Sequence, residues 1–483
     1  MGDRRQATTS GARAGPGFGF GFVLPWIAIA ALLSAGAALA PSPTWAILAL
    51  LAFAGFAFAL SRHAPTAAVL LAPLLILRLT EFASGAAIEN GATMVETGTV
   101  GGPTGAFPRL LLFELLLLVA GAWPIERAWR QVRDRFATTG AGRGDRSRSL
   151  LLLLVGLFGL ASIFLAILAA SHGLPLLGPV DRFTYLERLD GTPYRSIMMN
   201  RPVVAPLIGI LIAARRTRAV GLALLAWLLG GSVLFGEKFT SLLLIVGGAA
   251  APLLLARLAA TGRLPLRPLL AAAGLLAAVS LPAIFISYGG ADDAKRAWSR
   301  LADRAAVQGQ LWYLADREPR AASIDFPALR ADLVSWASPS AQHAELAGTR
   351  FGLYYAMARF TPSHRLKLAQ RGGNGFVFAL YPFLILAGGV AGLVIGGLAV
   401  ALAQGWALAL LMRALAEGRW LAALAFARLV NASYACLTTG YLWNMFGIKS
   451  IATLLLGLVL LRLPPIGQLR VTKNPVNGRL QSA

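Results

Sequence analysis

The tightest concentration of chemistry in this chain is the stretch LFGEKFTSLLLI, where Glu237 and Lys238 sit between two apolar runs with almost no loop around them. Two charges held at helix ends could accept a proton and neutralise an anion. Other ionic residues fall at the same ends of their apolar runs: Arg78 and Glu81, Arg201, and Lys449. Arg428 lies deeper, inside an apolar run, with Asn431 one turn on. An arginine inside the hydrocarbon is expensive and faces a partner or a hydrated cavity. Any one of these charges alone reads as a structural ion pair. Several converging on one leaflet suit a phosphate group on a lipid. A second constellation is the segment 292–317, which has the pattern of an amphipathic helix with Ala297, Trp298, Leu301, Ala305, Leu311 and Trp312 near one face. Arg296, Arg300 and Arg304 recur every four residues and so align on another face. Each guanidinium can grip a phosphate or carboxylate through two parallel hydrogen bonds. A solvated interfacial helix with paired arginines is the plainer alternative.

Histidines are few. His172 and His343 fall on the same predicted side as these charges and are candidate bases. No HxxxH pattern and no phosphate-binding GxxxxGK[ST] loop occurs, and Asp292-Asp293 reads as a helix cap as readily as a ligand pair. The sequence therefore predicts no metal site. The one cysteine, Cys436, lies in an apolar run and excludes an internal disulfide.

The elements that position these groups are apolar. Of 483 residues, 57% are hydrophobic and 13% charged, with a mean hydropathy of +0.67, which predicts an all-α polytopic membrane protein. Runs long enough, or nearly so, to cross ~30 Å of hydrocarbon fall at 22–40, 44–60, 64–80, 108–123, 150–171, 202–214, 219–235, 239–256, 268–288, 374–412, 420–436 and 448–462. That is about 12 spans, with 374–412 long enough for one tilted helix or a helix plus a re-entrant piece.

Lys and Arg outnumber Asp and Glu by 44 to 21. The surplus concentrates in alternate short loops, which marks topology rather than nucleic-acid binding. With an inside N-terminus, every inside segment is basic, while the outside segment 81–107 carries Glu81, Glu89 and Glu96. Both termini are thus expected in the cytoplasm. The expected organisation is a cytoplasmic tail (1–21), nine membrane helices (22–288), a large periplasmic loop (289–373), three more helices (374–462) and a second cytoplasmic tail (463–483). Ala38-Leu39-Ala40 has the look of a signal-peptidase site, but Pro41 directly after it predicts an uncleaved first helix. The outside segments 172–201 and 289–373 are rich in both charges, and function is sought there.

The layout, the basic residue followed by Thr240 and Ser241 in GEKFTS, the arginine-rich outer loops and the segment GTRFGLYYAMARF…RGGNGFVFALYPF (348–383) resemble bacterial O-antigen and oligosaccharide repeat-unit polymerases, and more distantly the O-antigen ligases. The resemblance implies a GT-C-like glycosyltransferase of the bacterial inner membrane. Its donor would be a polyprenyl-pyrophosphate-linked oligosaccharide, without nucleotide sugar or metal cofactor, and its partners the lipid bilayer and a chain-length regulator. In that setting Lys238, Arg195, Arg201, Arg296, Arg300, Arg304 and Arg428 would hold pyrophosphate. Glu237 would accept the acceptor proton, with His172, Asp181 or His343 as alternates. Trp312, Tyr313, Tyr354 and Tyr355 would stack on sugar rings, an interfacial aromatic belt being the plainer reading. The main non-enzymatic alternative is a lipid-linked oligosaccharide flippase or other transporter.

Overall fold

The computed structural model describes residues 20–94, 96–139, 144–176, 185, 189, 197, 199–237, 239–289, 307–318, 326–334, 351–372 and 377–463. Helix occurs in each of the twelve apolar runs, with 64–80 broken at Leu71 and 374–412 helical from Leu380. In chain order the elements are α1 (Phe20–Leu39), α2 (Pro43–His63), α3 (Pro65–Leu70), α4 (Ala72–Glu89), a two-stranded ribbon of β1 (Thr93–Met94) and β2 (Thr99–Val100), α5 (Ala106–Thr139) and α6 (Gly144–His172). A 3-10 turn (Arg201–Val204) then leads into α7 (Ala205–Ala213), followed by α8 (Arg218–Leu234), α9 (Thr240–Thr261) and α10 (Leu266–Gly289). The described parts of the large loop hold α11 (307–315), α12 (Phe326–Val334), α13 (Gly352–Phe360) and α14 (Ser363–Gly372). The chain closes with α15 (Leu380–Glu417), α16 (Trp420–Thr439), α17 (Trp443–Phe446) and α18 (Ile448–Arg462). Among the described residues, eight helices are long and apolar enough to cross a membrane, with three shorter apolar helices beside them. The protein is an all-α membrane protein. Its backbone polar groups are satisfied within helices, as a hydrocarbon environment requires.

The centre of the bundle is α5 against α15. Small residues let the two backbones meet, for a Cβ on Gly405 would lie 2.2 Å from the carbonyl oxygen of Gly121, and such close approach is what drives association where lipid supplies no hydrophobic force. Arg135 of α5 and Arg413 of α15 both pair with Glu417, at 2.7 and 3.0 Å, which gathers arginine-rich helix ends at one end of the bundle.

The long run 374–412 resolves into two pieces. Gly389 has φ 62° and ψ −156°, outside helical space, and the chain reverses there. The backbone carbonyl and side chain of Leu384 lie against Gly392 and Gly396, so 380–388 folds back along the start of the helix that follows. In a straight helix Leu384 and Gly396 would be about 18 Å apart. A helix plus a fold-back piece is therefore what this run forms.

At the opposite end from the arginine-rich helix termini, buried Glu89 caps α5. Its carboxylate accepts the backbone N–H groups of Gly105 at 3.2 Å and Phe107 at 3.3 Å, which α5 leaves unpaired. Glu89→Ala is expected to destabilise the fold by about 1–3 kcal/mol, read as lowered thermal stability of the purified protein. An unchanged transition would show that the cap contributes nothing.

Candidate functional site

A cavity of about 690 Å³ opens between α6, α8, α16 and α18, with the 3-10 turn that leads into α7 also in its wall. Its walls are apolar: Phe158 and Phe164 from α6, Trp227 from α8, Leu456 and Leu460 from α18. Its charged lining consists of Arg201 and Arg428, joined by Asn200 and Thr453. An apolar space with a few convergent polar groups is the usual form of a small-molecule site, and this one suits a molecule with a long apolar tail and an anionic head.

Arg201 reaches the cavity because the run 202–214 makes a short helix. The turn and α7 together span 13 residues, Arg201–Ala213, or about 20 Å, less than the hydrocarbon thickness. Two contacts fix its depth. Asn431 Nδ2 donates to the carbonyl of Met199 at 3.1 Å, and Asn431 lies roughly midway along α16. Gly209 packs so closely on α9 that a Cβ there would meet the Ala249 carbonyl oxygen at 2.3 Å. The N-terminus of α7 is thereby sunk to about the level of Arg428, and its partial positive charge faces the cavity floor.

Arg201 Nη2 donates to Glu237 Oε1 at 3.0 Å, and both side chains are buried. The glutamate of the opening stretch thus holds an arginine from a different helix. Arg428 differs: it is exposed to the cavity and has no carboxylate within ion-pair distance among the described residues. Lys449 stands one turn before the cavity-lining Thr453, whose hydroxyl donates to the Lys449 carbonyl at 2.7 Å. The sequence offers the 453, 456, 460 spacing, but only the position of α18 shows that this stripe faces the cavity.

His172 ends α6 at the same end of the cavity. Its Nδ1 lies 2.6 Å from Ser171 Oγ. The following loop runs against α8 through Leu176 N–H to the Leu234 carbonyl at 3.2 Å, three residues before Glu237. Tyr185, Leu165, Leu168, Leu189 and Phe235 form a small apolar cluster that braces this corner. The structure therefore brings together Glu237, Arg201 and Arg428 and sets the His172 loop beside them. Lys238, Arg195, Asp181, His343, Arg296, Arg300 and Arg304 lie outside the described residues.

The four aromatic candidates divide. Trp312 and Tyr313 of α11 are about 1% exposed. Trp312 Nε1 donates to the Ala106 carbonyl at 2.8 Å and the Tyr313 hydroxyl to that of Gly102 at 3.0 Å. Their rings anchor α11 to α5 and offer no open face for a sugar. The reason is local. Gly309 and Gly85 let α11 settle onto α4, where Gly309 N–H donates to Ser84 Oγ at 2.9 Å, and Arg109 clasps Asp316. Tyr354 and Tyr355 are half-buried. Arg359 lies 5.2 Å from the Tyr355 ring centre, and Tyr355 packs edge-on to Phe383 at 5.6 Å. They sit beside the stacked pair Tyr441 and Trp443, whose centres are 4.5 Å apart. Among the described residues no cluster of three or more His, Cys, Asp or Glu could hold a metal.

A family model matches residues 346–454: Family of unknown function (DUF6418). The matched part holds the aromatic group, the fold-back at Gly389, Arg428 and Lys449. Neither the curated proteins nor the solved structures provide a match.

The Arg201–Glu237 pair yields a direct expectation. Arg201→Ala takes an ion-pair partner from the buried Glu237 carboxylate and should lower the thermal midpoint, whereas the double change to Ala and Gln should recover part of that loss. A double-mutant cycle by thermal unfolding checks it, and additive losses would mean the two groups do not interact.

Proposed function

We propose that this protein polymerises polyprenyl-pyrophosphate-linked oligosaccharide repeat units on the periplasmic face of the bacterial inner membrane, with all twelve apolar helices in the bilayer, both termini cytoplasmic and a GT-C-like arrangement. The observation that carries the reading is the apolar cavity with Arg201 and Arg428 in its wall. The isoprenoid chain lies along the apolar lining, and the arginines, with Lys238 and Lys449, neutralise the pyrophosphate. A hydroxyl of a second lipid-linked unit attacks the anomeric carbon. The new glycosidic bond forms as the bond to pyrophosphate breaks, and lipid pyrophosphate leaves with the bonding electron pair. Fixed cations aimed at that developing charge in a partly dry site supply the stabilisation. The hydroxyl proton passes to a base at the cavity mouth, Glu237 or His172. Arg195, Arg296, Arg300 and Arg304 extend the cationic surface towards the acceptor, Tyr354 and Tyr355 contact its sugars, and a chain-length regulator docks on the periplasmic side.

A second reading has a specific observation in its favour. A half-length helix beginning at mid-depth is common in transporters, and α7 has that form. A lipid-linked oligosaccharide flippase is therefore the competitor, and an O-antigen ligase the nearest enzymatic one.

The test uses purified protein in liposomes with lipid-pyrophosphate-linked repeat units, excess EDTA and no nucleotide sugar, followed by glycan sizing. A ladder supports the polymerase. Labelled lipid crossing the bilayer without a ladder makes the protein a flippase, and glycan moved only to an added lipid acceptor makes it a ligase.

A further inference from the structure

Away from the cavity, α4, α5 and α15 enclose three ionic side chains that the proposed chemistry leaves unused. Arg78 and Glu81 are one turn apart on α4 and ion-paired, and Glu114 of α5 stands 3.4 Å from Arg78 Nε. None exposes more than 1% of its surface. The guanidinium is held between aromatic rings, 5.0 Å from the centre of Phe378 and 4.2 Å from that of Tyr381. Phe378 adopts φ 57°, a left-handed conformation that costs a bulky residue of order 1–3 kcal/mol and persists where the surroundings enforce it.

The charges do not balance. One guanidinium faces two carboxylates, and an uncompensated ion this deep costs several kcal/mol. Glu81 takes the direct hydrogen bond from Arg78 Nη1. Neither oxygen of Glu114 meets a donor at hydrogen-bond geometry, although the Tyr381 phenol faces it, and Gln404 Nε2 also lacks an acceptor. Glu114, Tyr381 and Gln404 line one small cavity of about 10 Å³, the size of a single water. The surrounding Leu71, Leu74, Leu118 and Leu437 carry no charge.

We propose that Glu114 is an intramembrane proton-binding site, where one proton balances the second carboxylate and one water links Glu114 to Tyr381 and Gln404. The proton comes from the aqueous phase and forms an O–H bond on the carboxylate, with no change in oxidation state. The charged groups facing Glu114 are Arg78 and Glu81 from α4, and the titratable one from α15 is Tyr381. The site stands whether or not the larger cavity takes a lipid pyrophosphate.

Infrared spectroscopy of the full chain in nanodiscs tests it. The wild type should show a carboxylic-acid carbonyl band that shifts on transfer to D2O. The band should vanish in Glu114→Gln, and also in Glu81→Gln, where one carboxylate already matches the arginine. It should persist in Glu237→Gln. A wild type without the band, or a band surviving in Glu114→Gln, overturns the site. Sodium-dependent stabilisation of the wild type that Glu114→Gln abolishes would replace the proton with a metal cation and equally overturn it. Should Glu114→Gln fail to fold, Gln404→Leu serves, since removing the amide beside the water must shift the band, and an unmoved band refutes the proposal.

Discussion

Arg428→Ala should lower glycan elongation by about 10²–10³-fold while leaving the folded protein intact. The expectation rests on an asymmetry between the two arginines of the large cavity. Arg201 is buried and tied to Glu237, so its removal damages the fold and confounds any rate measurement. Arg428 is exposed to the cavity from mid-helix, without an ion-pair partner among the described residues, so truncation leaves no orphaned charge. Changes of that kind normally stay within about 0.5 kcal/mol in stability. Arg428→Lys keeps the charge but loses the planar two-pronged grip and should fall between. Elongation in liposomes and thermal unfolding, measured on the same preparations, decide the matter. Full activity in Arg428→Ala would remove this residue from pyrophosphate binding.

Arg78→Met should be the most damaging single substitution in the bundle, costing about 3–5 kcal/mol and lowering the yield of folded protein. It leaves Glu81 and Glu114 facing one another with no cation and removes the cation that fills the space between Phe378 and Tyr381. The triple variant Arg78→Met, Glu81→Gln, Glu114→Gln should recover most of the loss, because an apolar or neutral replacement of a whole buried ionic group is often close to neutral. By contrast, Arg135→Ala disturbs a pair at a half-exposed helix end and should cost at most about 1 kcal/mol. Monodisperse yield after detergent extraction and the thermal midpoint provide the ranking. A triple variant no better than Arg78→Met would mean that the ring-to-guanidinium packing, rather than charge, dominates there.

The helices were legible because twenty-odd apolar residues bounded by arginines permit little else. Each of the twelve runs, from 22–40 to 448–462, carries helix among its described residues. The partnerships were not legible. Arg201, in the turn before α7, and Glu237, in the connection between α8 and α9, are 36 residues apart, and nothing local in RPVVAP or FGEKF specifies that they meet. The reversal at Gly389 is hidden by composition, since AGGVAGLVIGGL contains several glycines and only tertiary packing of Leu384 against Gly392 and Gly396 selects one. Trp312 and Tyr313 misled for a related reason. An amphipathic face beside a membrane reads as interfacial, and the small Gly85 and Gly309 that open a berth for α11 lie far apart in sequence. Glu114 was overlooked as one acid in the run FELLLL, yet a single carboxylate amid so much leucine is itself the signal.

The shallow floor formed by α7 bears on the shape of the surrounding bilayer. Under the proposed function, a polar headgroup drawn down to Arg201 and Arg428 would lie on a helical floor only about 20 Å thick, and lipids bordering this wall would tilt inward and dimple the leaflet. Such deformation costs fractions of a kcal/mol per Å of mismatch, which makes occupancy of the cavity sensitive to acyl-chain length. Thin membranes favour the buried headgroup, and thick ones oppose it.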